Sequence, residues 1–200
     1  MRLKYLDWSK GLAIILMVFA HTMNNENIIN TWIFAFHMPI FFIICGIITS
    51  YKENGSGKTN ICKVLKKRLF QLGVPYFVFC MALTIFYAML SYISTRTFDI
   101  THNIISTITL QGIDSLWFIP CFFIAELMLN ITIINKVSKY FGIAIAGGTI
   151  LFISIFSNMI PEYWLLKLAL KVLVGYVFVL IGYLMGKALN TKRYPPYGLG

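Results

Sequence analysis

The apolar residues of this chain fall in blocks of about twenty, and short polar segments between the blocks hold most of the charges. A helix of about twenty residues crosses a hydrocarbon layer about 30 Å thick. With 58% hydrophobic and only 12% charged residues, the chain has too few charges to cover the surface of a soluble domain. We therefore predict an all-α, polytopic membrane helix bundle with about six transmembrane helices, near residues 6–23, 31–51, 69–94, 115–135, 140–160 and 163–186.

The basic residues cluster at alternate ends of these six predicted helices. Loops rich in lysine and arginine resist translocation and stay in the cytoplasm. If the N-terminus is cytoplasmic, the cytoplasmic segments hold all but three of the 17 lysines and arginines, the exceptions being Arg96, Lys167 and Lys171. The predicted outer loops carry acidic residues instead, namely Glu26, Asp99, Asp114 and Glu162. We predict that both termini are cytoplasmic.

The chain shows no internal repeat and no soluble domain. We predict one transmembrane domain over residues 1–190 and a polar cytoplasmic tail over residues 191–200. The longest cytoplasmic segment, 52–68, carries Lys63, Lys66 and Lys67 at helical spacing beside apolar residues. This pattern predicts a short amphipathic helix on the membrane surface.

Two other classes of protein are excluded by the pattern of charges and cysteines. The net charge of +10 does not indicate nucleic-acid binding, because the basic residues flank apolar blocks and no segment pairs them with stacking aromatics. No metal site is expected, because the cysteines are scattered without a C-x-x-C pair. We interpret them as buried, inert thiols: Cys45, Cys62, Cys80 and Cys121.

Two histidines lie at matching depth near the predicted outer face. His21 comes just before the outer end of the first helix, and His37 follows the outer start of the second helix by about two turns. The short connection between these helices makes them antiparallel neighbours, so both imidazoles can line one pocket. Imidazole takes and returns protons near neutral pH, which suits it to activating a hydroxyl nucleophile. A single buried histidine would more often only bond a neighbouring helix.

Charged residues also gather at the opposite end of the first helix. Asp7 and Lys10 lie there, and Arg68 lies at the inner start of the third helix. Each alone is typical of an interfacial anchor whose stem lies along the lipid. Together they form a candidate anion-binding rim for a phosphorylated cytoplasmic co-substrate. From Lys10 to His21 is about 16 Å along a helix, which a long, thin donor arm can span.

Three further positions have open interpretations. Glu126, midway along the fourth helix, bonds either a histidine or a neighbouring helix, and the sequence does not decide between them. Trp117 is either an interfacial aromatic or a platform for a sugar ring, and the first is commoner. Lys167 and Lys171, one turn apart, either meet an anionic acceptor or extend outward to the headgroups.

Four segments recur in the order and spacing of one known family. They are LDWSKGLAIILMVFAH (6–21), FHMPIFFIICG (36–46), KKRLFQLGVPY (66–76) and SLWFIP (115–120). The chain resembles the acyltransferase 3 family of membrane proteins, in particular its fucose 4-O-acetylase-like branch. Family members usually have about ten spans, so the chain is similar to roughly the first sixty per cent of one.

The resemblance implies an O-acyltransferase of the bacterial-type inner membrane. The acyl group, usually acetyl from acetyl-CoA, would pass to a hydroxyl of a cell-envelope or exported glycan, free or lipid-linked. The family's two histidines map to His21 and His37, and its donor-binding basic residues map to Lys10 and Arg68. Many members carry arginine at the first of these two positions, and lysine cannot bind a phosphate in the same bidentate way.

Two alternatives remain at the level of sequence. In a transporter or flippase, buried ionisable groups would relay protons or line a path, but the first two helices lack paired Gly/Pro breaks, although Pro39 and Gly46 keep that option open. In a non-catalytic remnant, the fold would persist without the reaction. The sequence does not indicate the oligomeric state.

Overall fold

The structure, a computed structural model, describes residues 4–22, 28–53, 61–94, 99–134, 139–156 and 164–193. Every regular element within these ranges is helical, which confirms the all-α prediction. The α-helices in these ranges are α1 Lys4–Thr22, α2 Ile28–Glu53, α3 Ile61–Arg68, α4 Val74–Ser94, α5 Ile100–Ile108, α6 Phe118–Ile134, α7 Lys139–Phe156 and α8 Trp164–Arg193. A π-helical turn, Leu69–Gly73, joins α3 to α4, and a 3₁₀ turn, Asp114–Trp117, leads into α6.

Four segments of the described chain are long and apolar enough to cross a membrane. They are Thr31–Lys52, Leu65–Ile93, Asp114–Ile133 and Trp164–Leu189, and they match the second, third, fourth and sixth predicted spans. The prediction of a membrane helix bundle is therefore confirmed. The first and fifth predicted spans coincide with α1 and α7. The count of six spans and the cytoplasmic location of both termini stay predictions.

The centre of the bundle is the contact between α2 and α8, whose backbones approach closely. A Cβ atom added at Gly46 would overlap the carbonyl oxygen of Val179, and one added at Gly182 would overlap that of Ile43. Glycine at these positions lets the helices touch along their backbones, and in a membrane such packing is a main source of helix association.

The contacts between α2 and α8 also fix their relative direction. Phe42 packs against Gly175, and Ser50, about two turns later in α2, meets Gly186, about three turns later in α8. The two helices are therefore parallel. Two spans separated by an odd number of other spans must run the same way, so this direction agrees with the predicted alternation.

A buried apolar cluster joins α6 to this central pair. Its ring contacts include Phe42 against Phe118, with centroids 5.2 Å apart. The cluster explains how α6, apolar on all sides, is held against α2 and α8. Its buried members are Phe42, Ala125, Leu129, Tyr176, Val179, Leu180 and Tyr183.

Helix α1 packs antiparallel against α2. Its buried residues, Leu6, Ala13 and Ala20, recur every seven positions and so form one stripe along the helix. Leu6 clusters with Ile47 near the end of α2, whereas the last turn of α1 contacts Phe34 near the start of α2. The predicted antiparallel arrangement of the first two helices is therefore observed.

Helices α3 and α4 form one continuous helical rod through the π-helical turn. The predicted amphipathic helix thus exists, but it runs directly into the third span and does not lie apart from it. Pro75 explains the wide turn, because its ring lacks an N–H and would clash with the carbonyl four residues earlier. Of the most apolar stretch of this span 11% is buried inside the protein, against 44% in the spans of α2 and α8, so α4 is peripheral.

Helix α5 lies in a segment for which the sequence predicts no helix. Asp99 caps it, because the backbone N–H of His102 donates to Asp99 Oδ1 at 3.1 Å, and this bond holds the pKa of that carboxyl below its usual value. The Tyr76 hydroxyl of α4 donates to the carbonyl of Thr107 at 3.0 Å. The outer face of α5 is an exposed isoleucine stripe typical of an interfacial helix: Ile100, Ile104, Ile105 and Ile108.

The predicted limits of the domain stay a prediction. Residues 191–193 of the predicted tail belong to α8, and residues 194–200 lie outside the described part of the chain. The predicted loop acids Glu26 and Glu162 and the predicted outer Arg96 lie outside it as well, as does the side chain of Lys63.

Candidate active site

His37 is fully buried on α2. Its Nδ1 lies 2.8 Å from the carbonyl oxygen of Ile33, one turn earlier. A carbonyl only accepts hydrogen bonds, so Nδ1 carries the proton and the lone pair of the neutral ring is on Nε2. Nε2 is buried and has no hydrogen-bond partner among the described residues. Buried polar atoms are rarely left unpaired, so this nitrogen is an open acceptor for a bound hydroxyl or water.

His21 lies in the last turn of α1 and is exposed. Its ring packs edge to face against Phe34, with centroids 5.1 Å apart, and the same phenyl ring lies 5.4 Å from the ring of His37. The two predicted histidines therefore flank one aromatic ring. The phenyl ring of Phe34 thus contacts both imidazoles.

Ser115 completes this group of residues. Its Oγ lies 3.5 Å from Nε2 of His21, at the outer limit of a hydrogen bond. The serine is part of the SLWFIP segment, but the sequence analysis gives it no role, because 94 residues separate it from the histidine. We call His21, Phe34, His37 and Ser115 the histidine end of the bundle.

A tight loop before the 3₁₀ turn places Ser115. Leu110 and Asp114 have positive φ angles of 60° and 50°, which non-glycine residues rarely adopt, and Gly112 has φ 71°. The Tyr87 hydroxyl of α4 donates a hydrogen bond to the carboxylate of Asp114. Backbone strain of this kind persists only where surrounding contacts enforce it, and it is commonest at functional sites.

The other predicted site residues lie near the opposite end of α1. Lys10 Nζ is 4.0 Å from Asp7 Oδ1, and both side chains are about 40% exposed. Arg68 Nη2 is 2.6 Å from Glu126 Oε1, with the two side chains 29% and 4% exposed. We call these four residues the cation end, where each predicted donor-binding cation is already paired with a carboxylate.

The contact of Glu126 decides between its two interpretations. Its partner is Arg68 at the end of α3, so it bonds a neighbouring helix and not a histidine. The second oxygen, Oε2, is buried without a hydrogen-bond partner among the described residues. Cys45 lies within electrostatic range of both charges, and Ile47, two residues later in α2, packs in one cluster with Leu6 of α1.

Trp117 lies beside a cavity of about 270 Å³ between α2 and α8. Lys171 Nζ stands 4.2 Å from the centre of the Trp117 indole. The distance and geometry are those of a cation–π contact. The structure therefore brings together two residues that the sequence analysis treats separately.

Metal chemistry has no candidate site in the described ranges. No group of three or more His, Cys, Asp or Glu side chains there could hold a metal ion. The thiols of Cys45, Cys80 and Cys121 are free and buried.

Comparison with known proteins decides the family. A family model described as an acyltransferase domain matches residues 3–194. The chain belongs to the acyltransferase 3 family. It is also 32% identical over 84 residues to nodulation protein NolL of Sinorhizobium fredii, an alignment that covers 37% of this chain and 22% of that protein. No solved structure matches the chain.

The chain thus combines an acyltransferase-domain match with helices long and apolar enough to cross a membrane. The chain covers less than a quarter of the length of the relative it matches. The fucose 4-O-acetylase-like branch stays a prediction. In the described part of the chain, the histidine end combines a buried imidazole nitrogen without a hydrogen-bond partner and an exposed imidazole.

Proposed function

We propose that this acyltransferase moves an acyl group, acetyl in the simplest case, from acyl-CoA to a hydroxyl of a cell-envelope or exported glycan. The observation that supports it best is the pair of histidines against one phenyl ring, with Nε2 of His37 unpartnered. Such a group can hold a hydroxyl and remove its proton.

In the proposed reaction His21 is the general base. Its Nε2 takes the proton of the acceptor hydroxyl while that oxygen attacks the thioester carbonyl. When the tetrahedral intermediate collapses, the carbon–sulfur bond breaks and the imidazolium returns the proton to the coenzyme A sulfur. Because Ser115 Oγ already lies 3.5 Å from this nitrogen, it indicates where an acceptor hydroxyl would sit.

His37 has a different proposed role. Its Nδ1 proton is fixed on the carbonyl of Ile33, so the free Nε2 accepts a hydrogen bond from the acceptor or from a water molecule. That bond would orient the hydroxyl for His21 without direct contact between the two imidazoles. His37 would therefore contribute mainly to orientation, and His21 to proton transfer.

The cation end is the proposed site for the phosphates of the donor. The Lys10 side chain is partly exposed, and so is the Arg68 side chain beside its bond to Glu126. Asp7 and Glu126 would hold these cations in place when no donor is bound. The pantetheine arm would then extend along α1 toward His21, a distance of about 16 Å.

We further propose that the protein lies in a bacterial-type inner membrane, with the cation end on the cytoplasmic side. The acyl donor would then enter from the cytoplasm, and the glycan would meet the histidine end at the outer face. The predicted distribution of lysine and arginine supports this orientation.

A transporter or flippase receives less support from the described helices. Transport sites are typically built on helices interrupted near the middle of the membrane. Helix α2 continues through both Pro39 and Gly46 from Ile28 to Glu53. Neither residue therefore interrupts α2, as a helix of a transport site would require.

The experiment that tests the proposal measures transfer of labelled acetyl from acetyl-CoA in membranes that contain the protein, with and without a cell-envelope glycan fraction. We expect an alkali-labile labelled ester that depends on the glycan. His21→Ala should lose most of the transfer, and Thr22→Ala, the next residue on the same exposed turn, should keep it. Wild-type transfer in His21→Ala would remove His21 from the role of base.

A further inference from the structure

The cavity beside Trp117 is a small chamber between α2 and α8. Met38 and Phe42 of α2 form one wall, and Val174 and Phe178 of α8 form the other. Its volume is about 270 Å³, a little below the range of about 300 to 1,000 Å³ that is usual for ligand pockets. It runs along α8 from Lys171 to Phe178, a rise of about 10 Å.

The lining of this cavity determines what can enter it. Apart from Lys171, every side chain that lines it is apolar. A bare sugar ring would bury its hydroxyls without hydrogen-bond partners, at a cost of about 1 to 3 kcal/mol for each group. A hydrocarbon chain has no such cost and gains from burial. The cavity therefore suits a stretch of lipid chain and not a saccharide.

Lys171 adds a charge at one end of the apolar chamber. Its Nζ lies over the Trp117 ring at 4.2 Å, and its side chain is exposed. Among the carboxylates in the described ranges, none forms an ion pair with it. A cation at the open end of a hydrocarbon cavity complements an anion that is attached to a lipid chain.

The chamber is directly connected to the histidine end along the chain. Met38 follows His37 in α2, and Trp117 lies two residues after Ser115 in the 3₁₀ turn. A group that projects from an anion held by Lys171 would therefore extend toward the residues proposed to activate the acceptor hydroxyl.

We propose that this cavity binds the lipid chain of a lipid-linked acceptor, with the connecting phosphate at Lys171. The chain is isoprenoid or acyl in chemistry, and the phosphate carries the saccharide toward His21. The role as acceptor rests on the proposed function, whereas the binding of a lipid phosphate does not depend on it.

Binding is tested on the full chain in nanodiscs of zwitterionic lipid, with farnesyl phosphate and farnesol as probes and native mass spectrometry as the readout. We expect farnesyl phosphate to bind about ten- to a hundredfold more tightly than farnesol, as charged hydrogen bonds predict. Lys171→Gln should abolish that difference and leave farnesol binding unchanged. Lys167→Gln, one turn earlier on α8, is the matched control and should change either affinity less than twofold.

A second variant tests the cavity itself. Val174→Phe places a ring in the chamber and should weaken both probes about tenfold or more, whereas Ile85→Phe, on the exposed face of α4, should change neither. Circular dichroism and gel filtration of each variant show whether it folds. Equal affinity for the two probes, or an unchanged preference in Lys171→Gln, would overturn the proposal.

The acetyl-transfer assay separates this proposal from the proposed function. Farnesyl phosphate bound as expected, in a protein that transfers no acetyl, would overturn the acyltransfer chemistry alone. Transfer to a soluble glycan without any selective binding of farnesyl phosphate would overturn the lipid-linked acceptor alone.

Discussion

The histidine end and the cation end of this bundle treat their ionisable groups in opposite ways. At the cation end Lys10 and Arg68 are each paired with a carboxylate. At the histidine end, Nε2 of His37 has no hydrogen-bond partner among the described residues, and Nε2 of His21 lies at the outer limit of hydrogen-bond distance from Ser115. One end is close to electrically neutral before any ligand arrives, whereas the other keeps acceptor atoms open.

The difference follows from what each end is proposed to do. A cation inside an apolar bundle is costly without a counter-ion. A donor site can therefore keep its positive charges only if carboxylates compensate them while no donor is bound. A neutral imidazole costs less to bury than a cation, so it can remain buried without a hydrogen-bond partner. The contrast teaches that the cations proposed to bind a ligand are kept in ion pairs, whereas the nitrogen proposed to contact the reacting hydroxyl is kept without a hydrogen-bond partner.

The largest effect is expected from His37. His37→Phe keeps a buried ring of similar size but removes the nitrogen proposed to orient the acceptor hydroxyl, and we expect kcat for acetyl transfer to fall about 10²-fold. Single-turnover kinetics with labelled acetyl-CoA measure the loss. An unchanged kcat in His37→Phe would contradict the proposed difference between the two ends, because His37 would then only pack between helices.

The second effect concerns the buried ion pair at the cation end. Arg68→Met leaves Glu126 uncompensated at 4% exposure, and we expect the free energy of unfolding to fall by about 2 to 3 kcal/mol. This is less than for a fully buried pair, because water screens the partly exposed arginine. Urea denaturation in detergent micelles, followed by circular dichroism, measures it.

The double variant Arg68→Met, Glu126→Leu is the control for that prediction. It removes both charges and should recover most of the lost stability while donor binding stays weak. A double variant as unstable as Arg68→Met would mean that the pair itself, and not the stranded carboxylate, determines stability at this end.

A smaller effect is expected from Ser115. Its long contact with His21 is a weak hydrogen bond, so Ser115→Ala should lower kcat about two- to tenfold and leave the KM for acetyl-CoA unchanged. Ser91→Ala, which removes a hydroxyl that donates only to the Ala88 carbonyl of its own helix, is the matched control. Complete loss of transfer in Ser115→Ala would instead point to a covalent role for the serine, and would make the difference between the histidine end and the cation end larger.

The smallest effect on stability belongs to the exposed pair of α1. Lys10→Ala should change the free energy of unfolding by less than about 1 kcal/mol, because exposed ion pairs contribute little. The same variant should raise the KM for acetyl-CoA several-fold if Lys10 binds donor phosphates, and Lys4→Ala on the same helix should not. An unchanged KM would remove Lys10 from the donor site.

The sequence predicts the spans well because lipid imposes one rule along the whole chain, namely about twenty apolar residues per crossing. It also predicts that His21 and His37 can line one pocket, because the short connection after α1 makes the two helices antiparallel neighbours. Local patterns are sufficient for both inferences.

Contacts between distant segments could not be predicted in this way. Arg68 and Glu126 are far apart in sequence, and either could have met another partner. Helix α5 is too short to register as a span, and the strained loop behind Ser115 depends on the hydroxyl of Tyr87. The cavity of Trp117 and Lys171 exists only because α8 returns to α2 after more than a hundred residues.

The wide turn at Leu69–Gly73 has a consequence for how the two ends are aligned. Each residue of a helix advances the chain by about 100° of rotation, so the extra residue in this turn sets the angular phase of everything that follows. With Arg68 held at one end, a deletion in the turn would rotate Tyr76 and Tyr87 away from the loop that carries Ser115. Shortening the rod by a single residue would therefore break the contacts that place Ser115 while the Arg68–Glu126 pair stays intact, and would uncouple the donor side from the acceptor side.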